Sequence, residues 1–289
     1  MRSGLFLALI LAFFHSIPAR SATAPGPDFF GYSVATTMAF SFTNIANGGR
    51  VLYFNDDDAL TVNIGFNFNF YGVNYTSLAF NPNGLITFGG ASTDFNNVDL
   101  TTSVPPSNNL PCIAVLWDDW ETQSVGSDGL YYKTLGTAGS RQFIVQWNNV
   151  MPVNGPGTNT VTFQARLFEG SNQILLSYLD VVVADDPSYG NGAFATVGIR
   201  DADGQTNNRN LLWSHNQAII SDGESILFTR PVSLSIQRVG STVVLSWPQG
   251  TLQSAPNVTG TYTNVPGAIS PYTNAPTGSR KFYRVQVSP

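Results

Sequence analysis

From Val62 to Phe70 the chain alternates without a break: Val62, Ile64, Phe66, Phe68 and Phe70 are apolar, and Asn63, Gly65, Asn67 and Asn69 lie between them. A period of two places the five apolar side chains on one face of an extended strand and the asparagines on the other. This strand is predicted to end at Tyr71-Gly72. A partner begins near Tyr75, and Asn81-Pro82-Asn83-Gly84 turns the chain into Leu85-Ile86-Thr87-Phe88, which makes an antiparallel meander. Residues 113–117 are apolar at every position, as in a strand covered on both faces. Period two returns at Phe143-Val145-Trp147 and at Val161-Phe163-Ala165-Leu167, and further strands are predicted over 131–134, 174–183, 195–200 and 225–229. No window of a dozen residues carries a capped helical stripe. So many half-apolar strands bury themselves most simply as two packed antiparallel sheets, and the fold class predicted is all-β, an antiparallel β-sandwich.

Past Arg230-Pro231 the pattern changes to short strands at 234–239, 242–247, 251–254, 262–265 and 281–287, separated by closely spaced Pro, Gly and Asn turns. These predict a second, small β-sandwich module over 230–289, with Trp247 and Phe282-Tyr283 as core anchors. Composition supports strands over helices, with Gly 27 and Pro 17 supplying turn residues.

The first 24 residues have the form of an export signal: Arg2, an apolar run from Leu5 to Phe14, and Ala22-Thr23-Ala24 as a small-residue cleavage pattern. Its apolar run is shorter than the roughly 20 residues a membrane-crossing helix needs. The C-terminal residues carry no hydrophobic anchor. The expectation is a free secreted protein, in the periplasm, at the cell surface or outside the cell, with no membrane insertion once the signal is removed. Cys112 is the single cysteine, so no intramolecular disulfide forms and core packing must supply the stability. The net charge is −5, and Lys133 and Lys281 are the only lysines. That balance argues against nucleic acid as a partner, because phosphate backbones require a basic face.

Several segments occur in a recognisable order. They are Phe68-Asn69-Phe70-Tyr71-Gly72, Asn83-Gly84-Leu85-Ile86-Thr87-Phe88, Ile113-Ala114-Val115-Leu116-Trp117-Asp118-Asp119, Arg141-Gln142-Phe143-Ile144-Val145-Gln146-Trp147, and Thr162-Phe163-Gln164-Ala165-Arg166-Leu167-Phe168-Glu169. With 174–178 and Thr196-Val197-Gly198-Ile199 they resemble the nidogen-like extracellular domain, over roughly 30–229 and within a predicted domain of 25–229. The resemblance implies an extracellular, non-catalytic domain of the kind associated with adhesion or matrix assembly, found also in secreted bacterial proteins. The growth-factor-like repeats of the animal relatives do not follow. The stretch Val243-Val244-Leu245-Ser246-Trp247-Pro248, with Leu252-Gln253-Ser254-Ala255 and Phe282-Tyr283-Arg284-Val285, looks like a fibronectin type III-like module, which implies a spacer or presentation role.

Four residues, Asp118, Asp119, Trp120 and Glu121, are the candidate ligand-binding segment, because carboxylates beside an indole can hold a sugar by hydrogen bonds and stacking. The plainer reading places Trp117 in the core and the carboxylates on loop amides. On a straight strand end, Asp118 and Asp119 point to opposite faces and do not converge as an acid–base pair. Calcium is the one cofactor considered. Asn55-Asp56-Asp57-Asp58, Asp185-Asp186 and the loop carrying Asp201, Asp203 and Asn207 are rich in oxygen ligands, but the last has Leu212 where a helix–loop–helix site requires its bidentate Glu. A plain Asp/Gly turn competes with a metal loop there.

Catalysis is not expected. His215 is the only histidine outside the export signal, no Gly-x-Ser-x-Gly elbow occurs, Cys112 opens an apolar run, and neither lysine follows a glycine as in a phosphate-binding loop. The function predicted is a secreted, non-catalytic binding or adhesion protein of the cell surface or extracellular matrix, whose partner is an extracellular protein or a glycan. The alternatives are a carbohydrate-binding module, a carboxylate-dependent secreted hydrolase and a self-associating surface-layer component. The asparagine row at 63, 67 and 69 fits a glycan or protein surface, and equally a solubilising face in a lysine-poor chain.

Overall fold

The computed structural model describes residues 26–35, 38–48, 50–52, 57–101, 109–122, 128–153, 159–183, 189–230, 232–247, 250–276 and 280–286. The strands in chain order begin with β1 (Ser33–Ala35), β2 (Arg50–Leu52), β3 (Leu60–Phe70), β4 (Val73–Phe80), β5 (Leu85–Thr87), β6 (Cys112–Trp117) and β7 (Trp120–Glu121). They continue with β8 (Gly129–Leu135), β9 (Gln142–Pro152), β10 (Val161–Phe168), β11 (Ile174–Asp180), β12 (Thr196–Arg200), β13 (Asn210–His215) and β14 (Glu224–Thr229). One helical turn, α1 (Gly204–Asn207), separates β12 from β13.

These strands build two antiparallel sheets. The larger runs β1-β14-β11-β10-β9-β8-β2, with β7 added to β9, and the smaller runs β13-β12-β6-β5-β4-β3. Their facing sides form one apolar core. The alternation in β3 does what its period requires: Val62, Ile64, Phe66, Phe68 and Phe70 are all buried, and Asn63 and Asn67 are exposed. Each such side chain contributes about 1.5–3 kcal/mol when taken from water. Trp147 and Phe163, neighbours across β9 and β10, stack in the core with ring centroids 5.0 Å apart.

The apolar run of β6 is buried at every position. Ile113 and Val115 face the main core, while Cys112, Ala114 and Trp117 pack with Leu85 and Leu100 in a second cluster on the outer side. Covering both faces in this way explains why the segment does not alternate.

The outer face of the larger sheet also differs from an ordinary wet face. Ser225, Ser177, Gln164, Gln146 and Tyr131 occupy neighbouring positions across β14, β11, β10, β9 and β8, one row straight across the sheet. Residues 38–45, which belong to no strand, run along this row as a strap. Ser225 Oγ accepts from Ser41 N (3.1 Å), and Ser177 Oγ donates to Ser41 O (2.8 Å). Gln164 accepts from Thr43 N and donates to Thr43 O, both at 3.1 Å, and Gln146 Oε1 accepts from Ile45 N at 2.8 Å. Two glutamine amides thus replace a strand ladder, pairing backbone groups that would otherwise be buried alone. Arg166 adds hydrogen bonds to Ser41 and Thr43, and Ile45 packs on Tyr131 and Ile144.

Beyond β14, β15 (Ser235–Val239), β16 (Thr242–Ser246) and β19 (Tyr272–Asn274) form one three-stranded sheet. Another consists of β18 (Thr263–Asn264), β17 (Thr251–Ala255) and β20 (Phe282–Gln286). Both contribute to one cluster around Leu245, Trp247 and Leu252. The Trp247 indole donates to Gly250 O at 3.0 Å.

Gln164→Ala strips both amide partners from Thr43 and leaves its backbone groups unpaired. It is expected to lower the unfolding free energy by about 2–4 kcal/mol, read by denaturant unfolding, against less than about 0.5 kcal/mol for Ser77→Ala on the exposed face of β4.

Candidate functional site

The segment 117–121 lies where the chain changes sheets. β6 belongs to the smaller sheet, whereas β7 pairs with β9 in the larger one, Trp120 opposite Pro152 and Glu121 opposite Met151. Asp118-Asp119 is therefore a corner, held from below by Asn83, whose backbone oxygen accepts from Asp118 N (3.2 Å) and whose side chain accepts from Trp120 N (3.0 Å). Asn83 Nδ2 donates to Asp57 at 2.9 Å. The neighbouring Gly84 has φ +76°, and a Cβ there would lie 2.4 Å from Leu116 O, so this turn seats against β6 only as glycine.

The geometry corrects the sugar-stacking expectation for Trp120. Its side chain is 1% exposed, packs against Phe163 at 6.4 Å and donates its indole N–H to Leu116 O at 2.7 Å. No indole face is presented beside Asp119 or Glu121. Trp117 is equally buried, with Nε1 donating to Asp94 O. Asp118 is 9% exposed, its Oδ1 accepts from Asp119 N at 2.9 Å, and burial pushes its carboxyl up to about 6. Asp119 and Glu121 are half-buried.

The loop read as a possible calcium ligand set is a turn whose oxygens serve the protein itself. Asp201 accepts from Ala202 N (2.9 Å) and from Arg209 Nη1 (3.1 Å), and Asn207 Oδ1 accepts from Arg209 N. Asp203 bonds with Asn109 and sits in the left-handed region at φ 53°. Among the described residues no three His, Cys, Asp or Glu side chains gather to hold a metal ion. Asn55-Asp56 and Asp185-Asp186 lie outside the described residues; Asp58 is exposed.

Cys112 and His215 do not meet. Cys112 pairs with Arg200 at one end of β12, while His215 pairs with Thr196 at the other and has Nδ1 2.8 Å from Thr196 Oγ1. The Cys112 thiol is fully buried, which pushes it up to about 12.

What the sequence did not indicate is a depression beside the asparagine row. In the β3–β4 pairing Asn63 faces Ser77 and Phe68 faces Tyr75, so residues 64–67 bulge opposite Thr76 alone. The bulge leaves an open depression of about 410 Å³ lined by Asn63, Gly65, Phe66, Asn67, Thr76, Arg141 and Glu169. Its wall is an ion pair between the residue before β9 and the residue after β10: Arg141 Nε and Nη2 donate to the Glu169 carboxylate at 2.8 and 2.6 Å. Glu169 also accepts from Gly139 N and Arg141 N, and the Arg141 bonds above all hold its carboxyl down at about 2. The guanidinium lies over Phe66 at 5.6 Å and donates to Gly65 O at 2.5 Å.

The fold is a two-sheet, all-antiparallel sandwich, in which Asp118, Asp201 and Cys112 are each buried or engaged in holding a loop. The NIDO-related family model matches residues 31–235, and the chain belongs to that family. No curated protein and no solved structure is matched by the chain.

Two outcomes follow from this geometry. Because burial raises the Asp118 carboxyl from its ordinary 3.8 to about 6, the folded chain holds that proton more tightly than the unfolded one, and stability is lost as pH rises from about 4 through about 6. Asp118→Asn is expected to raise stability at pH 7 by about 1–3 kcal/mol and to change little at pH 4, read from thermal midpoints at both values. Cys112 is expected to resist a thiol reagent at pH 8 in the native protein and to label at once in denaturant, checked by mass spectrometry.

Proposed function

We propose that this chain is a secreted, non-catalytic binding protein acting in adhesion at a cell surface or in an extracellular matrix. Its family membership supports an extracellular setting. The observation that carries the non-catalytic reading is the use of the chemically able side chains: Asp118 caps the corner at β6, Asp201 is paired with Arg209, and Cys112 is sealed between strands. In such a scaffold the loops and the exposed β3–β4 ribbon carry recognition, while the sheets hold them still. The C-terminal strands serve as a spacer that presents the larger sandwich.

The test uses the full chain expressed with residues 1–24 in place. The protein is expected in the medium or surface fraction, and to be retained inside the cell when those residues are deleted. The exported protein is expected to adhere to immobilised extracellular glycans or proteins and to leave panels of glycoside, ester and peptide substrates unchanged. Turnover of any of these, diminished in Asp118→Asn, would replace the binding reading with a carboxylate-dependent hydrolase.

A further inference from the structure

We infer that the depression at the β3 bulge is a subsite for a neutral saccharide, an inference that rests on the binding reading above and gives that reading a place and a ligand class.

The first argument is the inventory of hydrogen-bonding groups. Asn67 and Thr76 are exposed, and neither the Asn67 amide nor the Thr76 hydroxyl has a partner among the described residues. Asn63 uses its Oδ1 to accept from Gly65 N at 2.6 Å, which leaves its Nδ2 hydrogens available. A guanidinium has five N–H donors. Arg141 directs one from Nε and one from Nη2 to Glu169 and one from Nη1 to Gly65 O, so a further N–H remains on each Nη. Donors and acceptors are thus interleaved within one shallow surface, which matches sugar hydroxyls, each of which donates and accepts.

The second argument is the exclusion of other ligand classes by the same atoms. The Arg141 and Glu169 charges cancel at 2.6 Å, so the depression offers no net field to an anion, and the chain as a whole carries −5. A phosphate or acidic glycan meets no attraction there. An apolar ligand finds little to cover, because Phe66 is 5% exposed beneath the guanidinium. A peptide adding as a strand is blocked, since Ile64 O accepts from Thr134 Oγ1 (2.8 Å) and Gly65 O from Arg141, occupying the outer edge of β3.

The third argument is rigidity. The Arg141 fork is held on both oxygens of Glu169 and stacked on Phe66, and the bulge itself fixes Asn63 through Gly65 at φ +90°. A site set before the ligand arrives spends little free energy on ordering. Its openness covers only one side of a sugar, so single-site affinity is weak and useful binding comes from several copies acting together.

The experiment is a glycan array probed with the full exported chain, followed by backbone-amide NMR titration with the neutral oligosaccharides it selects. Saturable shifts are expected at Gly65, Asn67 and Thr76. Asn67→Ala and Thr76→Ala are each expected to weaken binding about 3–10-fold, the equivalent of one hydrogen bond, and together by more than about 10-fold, with the thermal midpoint unchanged. The site is overturned if no neutral saccharide binds, or if binding survives the double variant and moves amides elsewhere. Adhesion to a protein or an acidic glycan without saccharide binding rejects this site and leaves the adhesive reading standing; substrate turnover rejects the adhesive reading itself.

Discussion

Wherever two sheets part at the side of a sandwich, strand edges are left with unpaired backbone groups, and in this chain side chains close one such seam. Along β3, Thr134 of β8 and Arg141, just before β9, reach to the carbonyls of Ile64 and Gly65, and the Asn172 side chain accepts from Asn69 N at 2.8 Å. With no disulfide to clamp the sheets, these contacts and the shared apolar core keep β3 in register with the larger sheet. The same closure sets Arg141 in its fork with Glu169 and so builds the wall of the depression. Stability and the proposed recognition surface therefore draw on the same few atoms, and a protected edge also resists pairing with a second chain.

The parts of the fold that were legible in the sequence are those where one rule governs many consecutive residues. A strand with one buried face must alternate, and β3 does; β9 and β10 keep the alternation of apolar and polar residues although both faces are buried, because their outer polar side chains bond the strap. A strand covered by apolar groups on both sides has no reason to alternate, and β6 does not. The strap escaped because its signal is distributed. Gln146, Gln164 and Ser177 look like ordinary outward positions, and only the docking of residues 38–45, more than a hundred positions away in sequence, makes them buried partners. β13 was also missed, since Leu211-Leu212-Trp213 is a short apolar run beside a loop with no alternation to announce a strand.

At the candidate sites the same distinction holds. The asparagine row was visible, but the bulge was not, because the apolar period of two continues through Ile64 and Phe66 while the pairing with β4 slips beneath it. Arg141 and Glu169 lie at the ends of other strands, and nothing local to either marks the pairing. Trp120 was misjudged for a related reason. A tryptophan between carboxylates reads as a surface group when the chain is taken to end a strand, yet the corner at Asp118-Asp119 turns it straight back into the core.

The strap has a bearing on the order in which the molecule is made. Ser41 finds its seat on Ser225, 184 positions later, and Thr43 and Ile45 find theirs 121 and 101 positions on. A ribosome delivers the amino-terminal end first, so for most of translation this stretch has nothing to lie upon. Its seats on β9, β10 and β11 come first, and its last bond, to Ser225, waits until β14 has emerged. Together with β1, which pairs only with β14, this early-made stretch is thus among the last to be completed, and a nascent chain halted before residue 225 stays incomplete at its oldest end.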